Sequence, residues 1–189
     1  ITMAFVNSGE SVLVPDPGYP TYSSVSKLVG ANVRSYSLSE ERQWLPDFEK
    51  LENEGLEGVK LMWVNYPHMP TGASATKELF EKLIKFGKKH NILICNDNPY
   101  SFILNENYLS ILSVEGAKDV ALELNSLSKS HNMPGWRIGM VAGAKEYISA
   151  VVKIKGNMDS GMFRPMQLAA AKALSVDSDW YNSINKVYI

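Results

Sequence analysis

Two rhythms of apolar residues alternate along this chain. Short, nearly continuous apolar runs at residues 11–14, 32–36, 59–65, 92–96, 120–124 and 138–142 predict strands, most of them buried. Longer stretches between them carry a helical period. Residues 21–29 read as a helix stopped by Gly30, and residues 46–54 as a short one. Thr76 can cap a helix running to His90, with Leu79, Phe80, Leu83 and Ile84 on one face. Further helices are expected from Lys145 and from about Pro165. Residues 1–5 read like the tail of a helix, and Ile189 falls inside another helical pattern. The proline-rich segment 15–20 should end the first strand. Strands alternating with helices predict βαβ units. The expected fold class is therefore α/β, a three-layer αβα domain on a mainly parallel sheet. There are no internal repeats and no low-complexity segments.

Composition narrows the function classes. The chain has 189 residues, with 19 basic and 20 acidic side chains and a net charge of -1. That balance argues against a nucleic-acid partner, which calls for concentrated positive charge. The length suits one domain with a substantial core. The single cysteine, Cys95, lies in an apolar run and cannot form an internal disulfide, which points to a reducing compartment. No apolar stretch approaches the roughly 20 residues of a membrane helix, and no signal peptide is visible. His68, His90 and His131 are scattered, without the spacing of a metal site.

In open α/β sheets ligands bind beyond the carboxyl ends of the strands. Four loops are expected there, holding Tyr19, residues 66–72, Asp97 to Tyr100, and Ser126 to Lys129, and one site could gather all four. Lys129 directly follows an apolar run, among small hydroxyl residues, with Arg137 eight positions on. A lysine held between apolar walls loses hydration and becomes nucleophilic, and a second cation pushes the same way. Asp97 ends another apolar strand, where burying a carboxylate is costly without a partner.

The stretch from Ser126 to Gly139, SLSKSHNMPGWRIG, resembles the pyridoxal-phosphate attachment signature of the class I/II aminotransferases at each constrained position. The resemblance implies that Lys129 forms the Schiff base with pyridoxal 5'-phosphate and moves the proton at the substrate α-carbon. It implies that Ser126 and Arg137 bind the cofactor phosphate, consistent with the paired, charge-assisted bonds a guanidinium makes to phosphate. In Asp97-Asn98-Pro99-Tyr100 it assigns Asp97 to the pyridine nitrogen and Tyr100 to the ring hydroxyl oxygen. In the segment 16–22 it assigns an aromatic that stacks on the cofactor ring, Tyr19 first and Tyr22 second. The implied reaction moves an amino group between an amino acid and a 2-oxo acid. A carbon–sulfur lyase of the same fold shares the lysine and the aspartate, and an aminotransferase-like ligand-sensing domain of a transcription regulator is a further alternative.

One motif departs from the family. Asn65-Tyr66-Pro67-His68-Met69-Pro70-Thr71-Gly72 resembles its Asn-Pro-Thr-Gly loop, with Met69 where an asparagine bonds the ring hydroxyl oxygen. Methionine has no donor, so the Schiff base pKa is expected to be raised relative to relatives that keep asparagine. The resemblance further implies that residues 1–189 are a fragment of the large, cofactor-binding domain. A glycine-rich phosphate turn would precede it, and a small domain holding the carboxylate-binding arginine would follow. The parent is expected to be a cytoplasmic homodimer, and the fragment alone inactive.

Overall fold

The computed structural model describes all 189 residues. Six strands form one sheet: β1 (Ser11–Asp16), β2 (Asn32–Ser37), β3 (Val59–Val64), β4 (Leu93–Asp97), β5 (Ala121–Ser126) and β6 (Gly139–Gly143), in the order β2-β1-β3-β4-β5-β6. The first five are parallel, and β6 runs antiparallel to β5. The helices are α1 (Thr2–Phe5), α2 (Thr21–Leu28), α3 (Phe48–Asn53), α4 (Lys77–His90), α5 (Leu127–Ser130), α6 (Lys145–Asp159), α7 (Arg164–Ala173) and α8 (Ser178–Tyr188).

Alternation along the strands builds two cores. Leu13, Met62, Val64 and Ile94 pack with Leu51 of α3 and Leu79, Phe80, Leu83 and Ile84 of α4. Val12, Val14, Leu61, Trp63, Cys95 and Leu122 face the other way, toward Val6, Tyr22 of α2 and, at the margin, Tyr147 and Ile148 of α6. Both sheet faces are covered, which is why the central strands read as unbroken apolar runs. Thr76 caps α4 as expected, its hydroxyl accepting from Leu79 N at 3.1 Å. No helix is long and apolar enough to cross a membrane.

Two features differ from the sequence reading. β1 continues through Pro15 and Asp16, which pair with Tyr36 and Ser37. β3 accompanies β1 only from Ser11 to Leu13, so beyond that point β1 is paired on one side alone. A residue without an N–H is tolerated in such an edge-like position. The last strand also reverses direction. Ser126 lies opposite Gly139, so the connection between β5 and β6 leaves and re-enters the sheet at the same end. A Cβ on Gly139 would lie 2.9 Å from Asn125 O, so only glycine permits this close approach.

Candidate active site

From β1 the chain crosses to β2 on one side, and β3 lies on the other, which makes the β1/β3 gap a topological switch point. A cleft of about 320 Å³ opens beside it, at the carboxyl ends of β3, β4 and β5. All six side chains singled out from sequence line it: Tyr19, Asp97, Tyr100, Ser126, Lys129 and Arg137. Tyr22, Asn65, Met69 and Ser128 join them. The four loops do converge, although Tyr19 and Arg137 are 118 residues apart in sequence.

Asp97 ends β4 at the cleft floor. Its partner within the chain is a neutral hydroxyl: Tyr22 OH donates to Asp97 Oδ2 at 2.8 Å. Burial pushes the Asp97 carboxyl above the usual carboxylate range, and the Tyr22 bond opposes that only in part. Burial, aided by the same contact, pushes the Tyr22 phenol well above its ordinary value. Tyr22 is itself locked by stacking on Trp63, with centroids 5.0 Å apart and planes 11° from parallel. One face of its ring is thus committed to the protein. Tyr19 meets Tyr22 edge-on at 5.7 Å and is 46% exposed, so it has the freer ring. The second-choice aromatic of the sequence reading is therefore a partner of Asp97. Its spacing to Asp97 carries no local signal of that pairing.

Behind Asp97 the loop after β3 is tied to β4. Asn65 Nδ2 donates to Asp97 O, and Asn65 Oδ1 accepts from Met69 N at 2.8 Å. Asn65 thereby sets the path that brings Met69 to the cleft. His68 is buried with Nδ1 2.7 Å from Thr71 Oγ1, and burial lowers its pKa.

Lys129 and Arg137 also line the cleft. The segment from Leu127 forms the single-turn helix α5, capped by Ser126, whose Oγ accepts from Ser128 N at 3.1 Å and lies 2.9 Å from Ser128 Oγ. Lys129 is exposed on this turn, with Nζ 5.9 Å from the centroid of the Tyr100 ring. Apolar side chains flank it only in part, and the lysine keeps its contact with solvent. Tyrosine rings, Met69 and two prolines share the lining with the Ser126 and Ser128 hydroxyls, the Asn65 amide, Asp97 and Arg137. Arg137 has a left-handed backbone (φ 54°) and donates from Nη1 to Pro134 O at 2.8 Å. Helix α8 braces this turn: Trp180 Nε1 donates to Ser130 O at 3.1 Å, and Tyr181 OH lies 3.3 Å from His131 Nε2. No group of three acidic, histidine or cysteine side chains is placed to hold a metal ion.

An amine, a guanidinium, hydroxyls, a half-buried carboxylate and an open aromatic ring in one cleft suit a small, flat, phosphorylated ligand with a reactive carbonyl. Comparison with known proteins agrees. The family model for aminotransferase class I and II matches residues 1–186. The LL-diaminopimelate aminotransferase of Gloeobacter violaceus is 43% identical over 188 residues, covering 98% of this chain and 48% of that protein. The LL-diaminopimelate aminotransferase of Aquifex aeolicus is also 43% identical, over 98% of this chain and 49% of that protein. Among solved structures, apo-BacF from Bacillus subtilis superposes with a TM-score of 0.95 at 40% identity, covering 99% of this chain and 48% of that one. An aminotransferase from Staphylococcus aureus gives 0.91 at 35% identity, over 98% of this chain and 49% of that one. The chain thus spans about half the length of the curated relatives it matches. With its cleft, its sheet order and nearly its whole length in agreement, this chain belongs to the class I and II aminotransferase family.

Proposed function

We propose that the protein is a pyridoxal-phosphate-dependent aminotransferase that exchanges an amino group between an amino acid and a 2-oxo acid. The observation that carries this is the convergence of Lys129, Asp97, Tyr100, Ser126 and Arg137 on one cleft. The donor set suits the cofactor. Lys129 supplies the amine for its carbonyl, and Arg137 with the Ser126 hydroxyl suits its phosphate. Asp97, held half-buried without a cation from the chain, suits a protonated ring nitrogen. Tyr100 supplies a donor beside the ring, and Tyr19 an open face to stack on it. When bound, pyridoxal phosphate supplies the electron sink for the substrate α-carbon. Lys129 is then the residue of this cleft that holds and moves a proton there.

The relatives' names make LL-diaminopimelate the first amino donor to test. The assay is 2-oxo acid formation by the full-length protein, with ammonia release followed in parallel. Oxo acid without ammonia supports transfer, whereas ammonia with pyruvate would replace this reading by elimination. The same reading makes the whole protein a cytoplasmic homodimer and this segment the larger part of its cofactor-binding domain. Since the chain spans about half of its relatives' length, the 189 residues alone are expected to give no turnover. Measurable transamination by that purified segment would refute this.

Met69 lines the cleft without a donor. Met69→Asn adds one at the ring hydroxyl, and a hydrogen bond to a charged oxygen is worth about 1.5 kcal/mol at the low end, or roughly one pKa unit. The pH midpoint of the bound cofactor's absorbance change should fall by about one unit. Equal midpoints in the two proteins would show that Met69 does not face that oxygen.

A further inference from the structure

Glu123 is a buried carboxylate, 9% exposed, on β5, and it lies outside the cleft. None of the chain's ion pairs includes it. Burying a carboxylate this way is expensive unless donors surround it. Three do, and they come from the two ends of one loop. Asn98 Nδ2 donates to Oε1 at 2.7 Å. Ser110 Oγ and Ile111 N donate to Oε2, the latter at 3.0 Å. The neighbours of Glu123 on β5 reinforce the first anchor: Asn98 N donates to Leu124 O at 2.8 Å, and Asn125 Nδ2 donates to Asn98 O at 2.7 Å. The strap between the anchors, residues 99–109, carries Tyr100 into the cleft two residues past the first anchor.

We propose that Glu123 is a positioning residue for the active site. By clipping both ends of the strap to β5 it holds Tyr100 against the cofactor space. This rests on the reading that the cleft binds pyridoxal phosphate. The clip needs a carboxylate in particular. Both oxygens accept, so the amide nitrogen of Glu123→Gln meets either Ile111 N, which can only donate, or the Asn98 amide, which must turn over to accept it and leave its own Nδ2 unpaired. The strap should then open at that end, and Tyr100 should lose its place.

The test compares wild type, Glu123→Gln, Tyr100→Phe and the double variant in the full-length protein. Three quantities are read: the dissociation constant for pyridoxal phosphate, the pH midpoint of the bound cofactor's absorbance, and amide hydrogen exchange in the cofactor-free protein. Glu123→Gln should weaken cofactor binding about 10-fold, the effect of losing one bond to a charged group. It should move the midpoint in the same direction as Tyr100→Phe and speed exchange across residues 99–111. Groups acting through one another are not additive, so the double variant should bind the cofactor no more weakly than Tyr100→Phe, within about twofold. Effects that multiply, or exchange and midpoint left unchanged by Glu123→Gln, would overturn the proposal. Should Glu123→Gln fail to fold, Ser110→Ala removes one donor and leaves two. It should give a smaller effect of the same sign, absent in the Tyr100→Phe background, and an effect that persists there would equally overturn the clip. Wild-type protein that takes up no pyridoxal phosphate would sink the functional reading and this proposal with it. Binding by wild type with multiplying variants sinks the clip alone.

Discussion

Lys129→Ala is expected to lower transamination by the full-length protein by on the order of 10⁴-fold, because a positioned proton-transfer group contributes up to about that factor. Covalent capture of pyridoxal phosphate is lost with it. The substitution is clean. Lys129 is exposed on the single turn α5, and its ammonium makes no hydrogen bond and joins no ion pair, so truncation leaves no cavity and no orphaned partner. Surface changes of this kind move stability by about 0.5 kcal/mol or less. The thermal midpoint of the cofactor-free protein should therefore be unchanged while turnover collapses. Lys129→Arg keeps the charge but offers no nucleophilic amine, and should behave as Lys129→Ala does. The check is turnover, together with borohydride fixation of the cofactor and peptide mapping of the adduct. An alanine variant within about tenfold of wild type, or an adduct on another lysine, would overturn the assignment.

Asp97→Asn should act in opposite directions on stability and on function. Burial raises the folded-state pKa of Asp97 above its unfolded value. Between those two values the folded state binds the extra proton, so stability declines as pH rises through that window. Above it, the full cost of an ionised, half-buried carboxylate remains. Asparagine carries no such charge and can still accept from Tyr22 OH, which lies 2.8 Å from the present carboxylate. The cofactor-free variant should therefore melt higher than wild type near neutral pH, with the difference vanishing below the ordinary carboxylate range. With pyridoxal phosphate the ranking reverses, because the charge that Asp97 offers a ring cation is gone. Removing one such electrostatic partner costs on the order of 10²–10³-fold in turnover. Melting curves across pH, with and without cofactor, test both halves. A variant less stable than wild type at neutral pH without cofactor would show that the carboxylate is not strained by burial. Unchanged turnover would separate Asp97 from the chemistry.

Much of the cleft was legible because its parts are local. Thr76 and the apolar face of α4 announce a helix within one stretch of chain. The Lys129 turn with Ser126 and Arg137 is a pattern of close spacings, as is Asp97 with Tyr100. Each of these lies just past an apolar run, and the rule that ligands gather at the carboxyl ends of parallel strands placed them together. The extended apolar runs also settled that both faces of the sheet are covered, since a strand exposed on one side would alternate.

What the sequence determined by itself was therefore the element order, the fold class, and the loops that converge on the cleft with the residues they carry. The tertiary structure decided what those residues touch. Tyr22 and Asp97 are 75 residues apart, and no local rule pairs a phenol with that carboxylate. The stacking of Tyr22 on Trp63 frees Tyr19 rather than Tyr22 for the cleft. Pro15 could join β1 only because β3 departs after Leu13. The exposure of Lys129 follows from α5 leaving the end of the sheet, and the close fit of the reversed β6 against β5 uses a glycine that admits the Asn125 backbone. Glu123 reads as one polar residue in an apolar strand until the two ends of a distant loop close on it. In each case the physical reason is the same. Periodicity, capping and motif spacing act over a few residues of chain, whereas burial and hydrogen-bond satisfaction are settled between segments that meet only when the sheet assembles.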